Sequence, residues 1–160
     1  MPVNFSDLWN AYPTAPTKKA LFQQLGGGWP ALIENTNYDN TCTIRLSVAL
    51  IGAGQLIPDD LAQSDGGHKD AQGRNMIIRV PTAKLLFERL FGLSTWSMSK
   101  AVGADIADGL IPEWTGFLLY LVPQNNAHGH ADLWNNNRCT IDCHNAYARA
   151  ARSVELWRLT

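Results

Sequence analysis

At 160 residues, with 46% hydrophobic and 17% charged residues, the chain has the length of one ordinary domain and the composition of a core-forming protein, which excludes a disordered tract. Its net charge of -1 gives no electrostatic attraction to nucleic acid or to an anionic membrane, and its lysines and arginines are scattered, with no basic run interleaved with aromatics. No apolar run is long enough to span a bilayer, and residues 1–7 lack a positive segment leading into an apolar one, so neither a membrane anchor nor a Sec-type signal is expected.

In chain order, Ser6 is placed to cap a short helix carrying Leu8, Trp9 and Ala11 that Pro13 ends. Thr17 is placed to cap a second, with Leu21, Phe22 and Leu25, before the triplet Gly26-Gly27-Gly28. Residues 29–40 are turn-rich and lead into an apolar segment of helical spacing. Ile44, Val48 and Ile51 form one stripe there, Leu46 and Leu50 a neighbouring one, and Gly52 and Gly54 are the stop signal. That segment predicts a buried helix with Cys42 in its first turn. Residues 55–75 are rich in Asp, Gly and Gln, contain His68, and read as a long surface loop rimming a cleft. Residues 76–80 are a strand candidate, after which Pro81-Thr82 opens an amphipathic helix with Ala83, Leu86, Phe87 and Leu90 on one face and Gly92 as C-cap. Between residues 94 and 111, Met98, Val102 and Ile106 keep helical spacing while Gly103 and Gly109 break it, so no element is assigned. Residues 117–122, 130–134 and 154–159 read as three strands. A helical half followed by an antiparallel sheet makes an α+β class, with residues 1–160 as one domain.

Cys42 is the candidate nucleophile. Free N–H groups and the positive end of the helix dipole favour a thiolate at a helix start. The plain alternative is a small buried apolar side chain. Cysteine catalysis requires an imidazole to take and return a proton, and three of the histidines, His128, His130 and His144, lie in the last third of the chain. His130 is best placed, at a strand start after Gly129, where the missing side chain lets the backbone approach a neighbouring helix. For the group that orients the ring the candidates are Asp132 and Asp142. Asp132 shares the face of His130 but sits about 6 to 7 Å further along the strand, a poor distance, so Asp142 is preferred. Cys139 and Cys143 admit two readings, a disulfide closing a short loop, or ligands of a zinc ion together with His144 and His128, although the spacing departs from that of zinc fingers. No metal or other cofactor is expected. Two further readings of the whole chain stand beside a hydrolase: an acyltransferase of the same architecture, and a non-catalytic module stabilised by zinc.

Asn40-Thr41-Cys42-Thr43-Ile44-Arg45-Leu46-Ser47, the strand Ile77-Ile78-Arg79-Val80 before an amphipathic helix, Gly129-His130-Ala131-Asp132-Leu133-Trp134-Asn135, and the paired cysteines followed by His144 together resemble the fourth family of type VI secretion amidase effectors. The likeness runs in order from the Trp9 helix to the Leu156-Trp157 strand. It implies a papain-like (NlpC-type) fold, the nucleophile helix packed on a C-terminal antiparallel sheet, with Cys42 as nucleophile and His130 as base. It implies hydrolysis of an amide in the peptidoglycan peptide stem, typically between D-glutamate and meso-diaminopimelate. The partners implied are the type VI secretion apparatus and a cognate immunity protein, with synthesis in the cytoplasm and action in a rival's periplasm, where a Cys139–Cys143 bond can form. The family pattern has an aspartate two residues after the first paired cysteine. This chain has Ile141 there, and Asp142 one place later.

Overall fold

The computed structural model of the chain describes residues 3–123, 129–140 and 146–160. Asn4, not Ser6, caps the first helix, α1 (Phe5–Ala11), because its side-chain oxygen accepts the Ser6 N–H at 2.8 Å. Thr17 caps α2 (Lys18–Leu25) as the sequence predicts, and Gly26 ends it. The central helix α3 (Cys42–Gly52) has Cys42 at its first position and is buried on most sides, with Ile44, Leu46, Ala49 and Leu50 fully covered.

The expected long loop over residues 55–75 is structured. It holds α4 (Asp59–Asp65) and a hairpin of β1 (His68–Lys69) and β2 (Asn75–Met76). Only Leu61 and Ala62 carry the apolar side of α4, too few to show as a periodic signal, and the helix is anchored instead by Asp65. That fully buried carboxylate accepts from the N–H of Ile78 at 2.7 Å and of Arg79 at 3.2 Å, and from the Thr82 hydroxyl at 2.7 Å. It therefore caps the following helix, α5 (Val80–Phe91), from outside. The strand expected over residues 76–80 is reduced to the two residues of β2, because the segment after it serves this cap and Val80 already belongs to α5.

Among the described residues the sheet has five antiparallel strands, not three. Their order is β3 (Trp96–Ser99), β7 (Ser153–Arg158), β4 (Thr115–Leu121), β5 (Gly129–Asn135) and β6 (Arg138–Cys139). Trp96 and Met98 alternate with serines as an edge strand on β7, a two-residue period hidden in the sequence by the coincident helical spacing of Met98, Val102 and Ile106. One face of the sheet presents Phe117, Leu119, Ala131, Leu133 and Trp157 to α1, α3 and α5. The other carries Leu118, Tyr120, Trp134, Val154 and Leu156, covered in part by α6 (Ala146–Ala150). Helix α3 is thus pressed between α1 and the sheet, with its N-terminus at β5. No helix among the described residues is long and apolar enough to cross a membrane.

Candidate active site

Strand β6 pairs only with Trp134 and Asn135, so between Gly129 and Leu133 the outer edge of β5 has no strand beside it among the described residues. The backbone groups on such an edge need partners. Here they find the candidate nucleophile and its surroundings. The Gly129 carbonyl accepts from Asn40 Nδ2 at 2.7 Å, the Ala131 N–H points at Cys42 Sγ at 3.4 Å, and the Leu133 N–H donates to Asp132 Oδ1 at 2.8 Å. The turn before α3 is fastened to the strand edge, and Cys42 is held beside it. Gly129 makes this possible in an unexpected direction. At φ 134 a Cβ there would lie 1.9 Å from the Tyr120 carbonyl oxygen, so the close approach is to β4, while Asn40 makes the tie toward the helix.

The Cys42 sulfur is buried and within hydrogen-bond reach of the His130 ring, with the Thr43 hydroxyl 3.6 Å away. His130 Nε2 lies 3.0 Å from Asp132 Oδ2, so the ring bridges the carboxylate and the sulfur. Asp132 is fully buried, and its Oδ1 accepts from the Thr140 N–H at 3.1 Å and from the Thr140 hydroxyl. The distance objection to Asp132 does not hold in the folded chain. The about 6 to 7 Å between alternate residues is a backbone spacing, and a ring and a carboxylate leaning toward each other on one face of the strand close it. Asp142 lies outside the described residues, as do His128, Cys143 and His144, and with them the disulfide and zinc readings.

Burial pushes the Cys42 thiol up. It is outweighed by the hydrogen bond and charge of His130, aided by the Ala131 N–H and the Thr43 hydroxyl, and the net direction is down from the ordinary cysteine value. For His130, burial favours the neutral ring, but Asp132 and Cys42 together raise it to about 10. Both directions favour a thiolate beside an imidazolium, and the two groups titrate as a pair.

Several neighbours carry no signal in the sequence. Tyr147, on α6, lies parallel to the His130 ring at 6.1 Å with an interplanar angle of 9°, and Tyr120 is 6.0 Å from the ring on β4. Tyr12 is buried near Thr140 and Asp132, and burial followed by the Asp132 charge keeps its phenol well above the usual value. The Cys42 N–H is turned to Asn40 Oδ1 at 3.3 Å. A cavity of about 190 Å³ reaches this centre, lined by Asp39, Asn40, Thr41, Cys42, Arg45, His130 and Tyr147.

A cysteine at the start of a buried helix, facing a histidine on an antiparallel strand that is aligned by a carboxylate, defines the papain-like class of α+β proteins. The sequence profile of "Type VI secretion system (T6SS), amidase effector protein 4" matches residues 38–157. The chain belongs to that family, and it is an amidase effector. No curated protein matches it in sequence. Among solved structures it is similar to the Tae4–Tai4 effector–immunity complex from Enterobacter cloacae, at TM-score 0.80 and 21% identity over 100% of both chains. It is also similar to the effector Tae4 from Enterobacter cloacae, at TM-score 0.78 and 22% identity over 100% of this chain and 98% of that one. The Tae4–Tai4 complex from Salmonella Typhimurium aligns at TM-score 0.78 and 20% identity over 100% of both. At these identities the likeness establishes the fold.

Proposed function

We propose that the chain is one domain that hydrolyses the amide between D-glutamate and meso-diaminopimelate in the peptidoglycan peptide stem, with Cys42 as nucleophile, His130 as general acid and base, and Asp132 orienting the ring. The observation that carries this is the buried Cys42 sulfur, held between the His130 ring and the Ala131 N–H at a helix N-terminus. The thiolate attacks the amide carbonyl, and the carbonyl oxygen takes up the electron pair. The Cys42 N–H exchanges its long bond to Asn40 Oδ1 for that oxyanion, helped by the positive end of α3. Collapse breaks the carbon–nitrogen bond as His130 gives its proton to the leaving amine. A water then attacks the thioester, His130 accepts its proton, and Cys42 leaves as thiolate.

Incubation of isolated sacculi with wild type and Cys42→Ala, followed by mass spectrometry of the soluble products, tests the reading. Wild type releases stems ending in a glutamyl carboxylate and Cys42→Ala releases none; retained cleavage by the variant refutes it. Asp142, preferred on the sequence, is the competing third member. Asp142→Asn then leaves turnover within about twofold, whereas Asp132→Asn does not.

The chain acts after delivery by the type VI apparatus into the periplasm of a target bacterium, and a cognate immunity protein covers the cleft in the producer. The effector–immunity complexes among its structural relatives support that partner. A Cys139–Cys143 disulfide fits the oxidising periplasm, and Cys42 is the free cysteine among the described residues.

A further inference from the structure

We propose that Arg138 anchors the substrate by a carboxylate: a groove of about 600 Å³ beside the Cys42 cavity receives the peptide flanking the scissile amide, and the Arg138 guanidinium binds its free carboxylate. This rests on the reading of the chain as a peptidoglycan amidase given above. The groove is lined by Trp9, Tyr12, Arg138 and Thr140, and it runs into the catalytic cavity through Asp39, Thr41 and Arg45, which belong to both. A peptide whose amide carbonyl sits at Cys42 therefore extends naturally into it.

The charges along the groove single out one residue. Lys18 Nζ lies 2.8 Å from Asp39 Oδ1, and the two neutralise each other. Arg45 is buried and committed to the fold, with Nη1 donating to the carbonyls of Pro13 at 3.2 Å and Ala15 at 2.7 Å, and Nε to the Thr41 hydroxyl at 3.1 Å. Arg138 is exposed, and no carboxylate meets it among the described residues. Its guanidinium lies over the Trp9 ring at 5.5 Å. A guanidinium held over an indole by cation–π attraction keeps its N–H donors, the fork that takes a carboxylate in two parallel bonds. An amide formed by a γ-linked glutamyl residue and a diamino dicarboxylic acid has a free carboxylate on each flank. An anionic anchor therefore separates such stems from ordinary peptides.

The test measures kcat/KM on three muropeptides: one with both flanking carboxylates free, one with the glutamyl α-carboxylate converted to the carboxamide, and one with the diamino acid carboxylate so converted. Wild type loses roughly tenfold or more on one of the two amidated stems, and that stem identifies the carboxylate held. Arg138→Gln loses the same factor on the free stem, mostly in KM, and shows no further loss on that amidated stem; Arg138→Lys recovers only part. Equal cleavage of all three stems by wild type, with Arg138→Gln keeping the wild-type KM, overturns the anchor and leaves the amidase reading standing. Failure of wild type to cleave any of the three, with Cys42 still reactive toward a thiol probe, ends the substrate reading and the anchor with it.

Discussion

Helices α3 and α5 both pack on the same face of the sheet, yet their N-termini are finished in opposite ways. The start of α5 is closed by Pro81 in its first turn and by Asp65, whose oxygens accept from Ile78, Arg79 and Thr82. That anion is saturated with donors and has nothing left to offer a substrate. The start of α3 has no side-chain cap from its own N-cap residue, Thr41, and the acidic group there is the Cys42 thiol, held below its ordinary value chiefly by His130. A helix terminus favours an anion in both places, and what separates the two is whether the acidic group is enclosed by donors, as Asp65 is, or lies at a cavity beside an imidazole, as Cys42 does.

The sharpest way to break the contrast is at α3. His130→Ala removes the proposed proton source and the main influence lowering the thiol, and turnover of the folded variant falls by about ten-thousand-fold, or about 5 kcal/mol, while loss of the buried partner of Asp132 also lowers the melting temperature. Turnover within tenfold of wild type sinks the assignment. At α5 the effects invert. Asp65→Ala leaves buried N–H groups unpaired and costs about 3 kcal/mol in stability, read by denaturant unfolding, with turnover of the surviving folded enzyme unchanged. A loss of turnover without a loss of stability contradicts the division of labour.

Asp132→Asn comes next, at about a hundredfold in kcat, and its pH profile says more than its size. The proposed catalytic pair needs Cys42 ionised and His130 protonated, so turnover in wild type is expected to rise as the thiol ionises, below its ordinary value, and to fall as pH passes about 10, where the imidazolium loses its proton. Asp132 is the leading influence raising His130, so the asparagine variant loses its alkaline limb at lower pH. An unmoved limb shows that another group holds the ring. The linkage to stability has the same sign. A histidine raised in the folded state contributes fully below its unfolded value of about 6.5, and that contribution is lost as pH climbs through about 10.

What the residues announced and what they hid divides along physical lines. Cys42 at a helix start, the amphipathic α5 with its Gly92 stop, and the apolar runs that became β4 and β7 depend on local periodicity and capping, which are written in neighbouring positions. Asp132, Thr140, Asn40 and Tyr147 gained their places through the open edge of β5, a long-range feature set by how short β6 is. The α4 helix likewise exists because Asp65 is needed beneath α5. Its sequence, polar but for Leu61 and Ala62, carries no periodic trace of that need.

The smallest expected effect probes the fastening itself. Asn40 joins the turn before α3 to β5 through the Gly129 carbonyl at 2.7 Å and also receives the Cys42 N–H at 3.3 Å. Asn40→Ala unpairs one edge carbonyl and frees one N–H, for a stability cost of about 1 kcal/mol. If the thiolate is held mainly by His130 and Ala131, the thiol-labelling rate of Cys42 against pH keeps its wild-type midpoint while kcat drops only a few-fold, through looser placement of the sulfur. A midpoint shifted toward the ordinary cysteine value instead shows that the tie to the strand edge, and not the imidazole alone, keeps α3 reactive where α5 is inert.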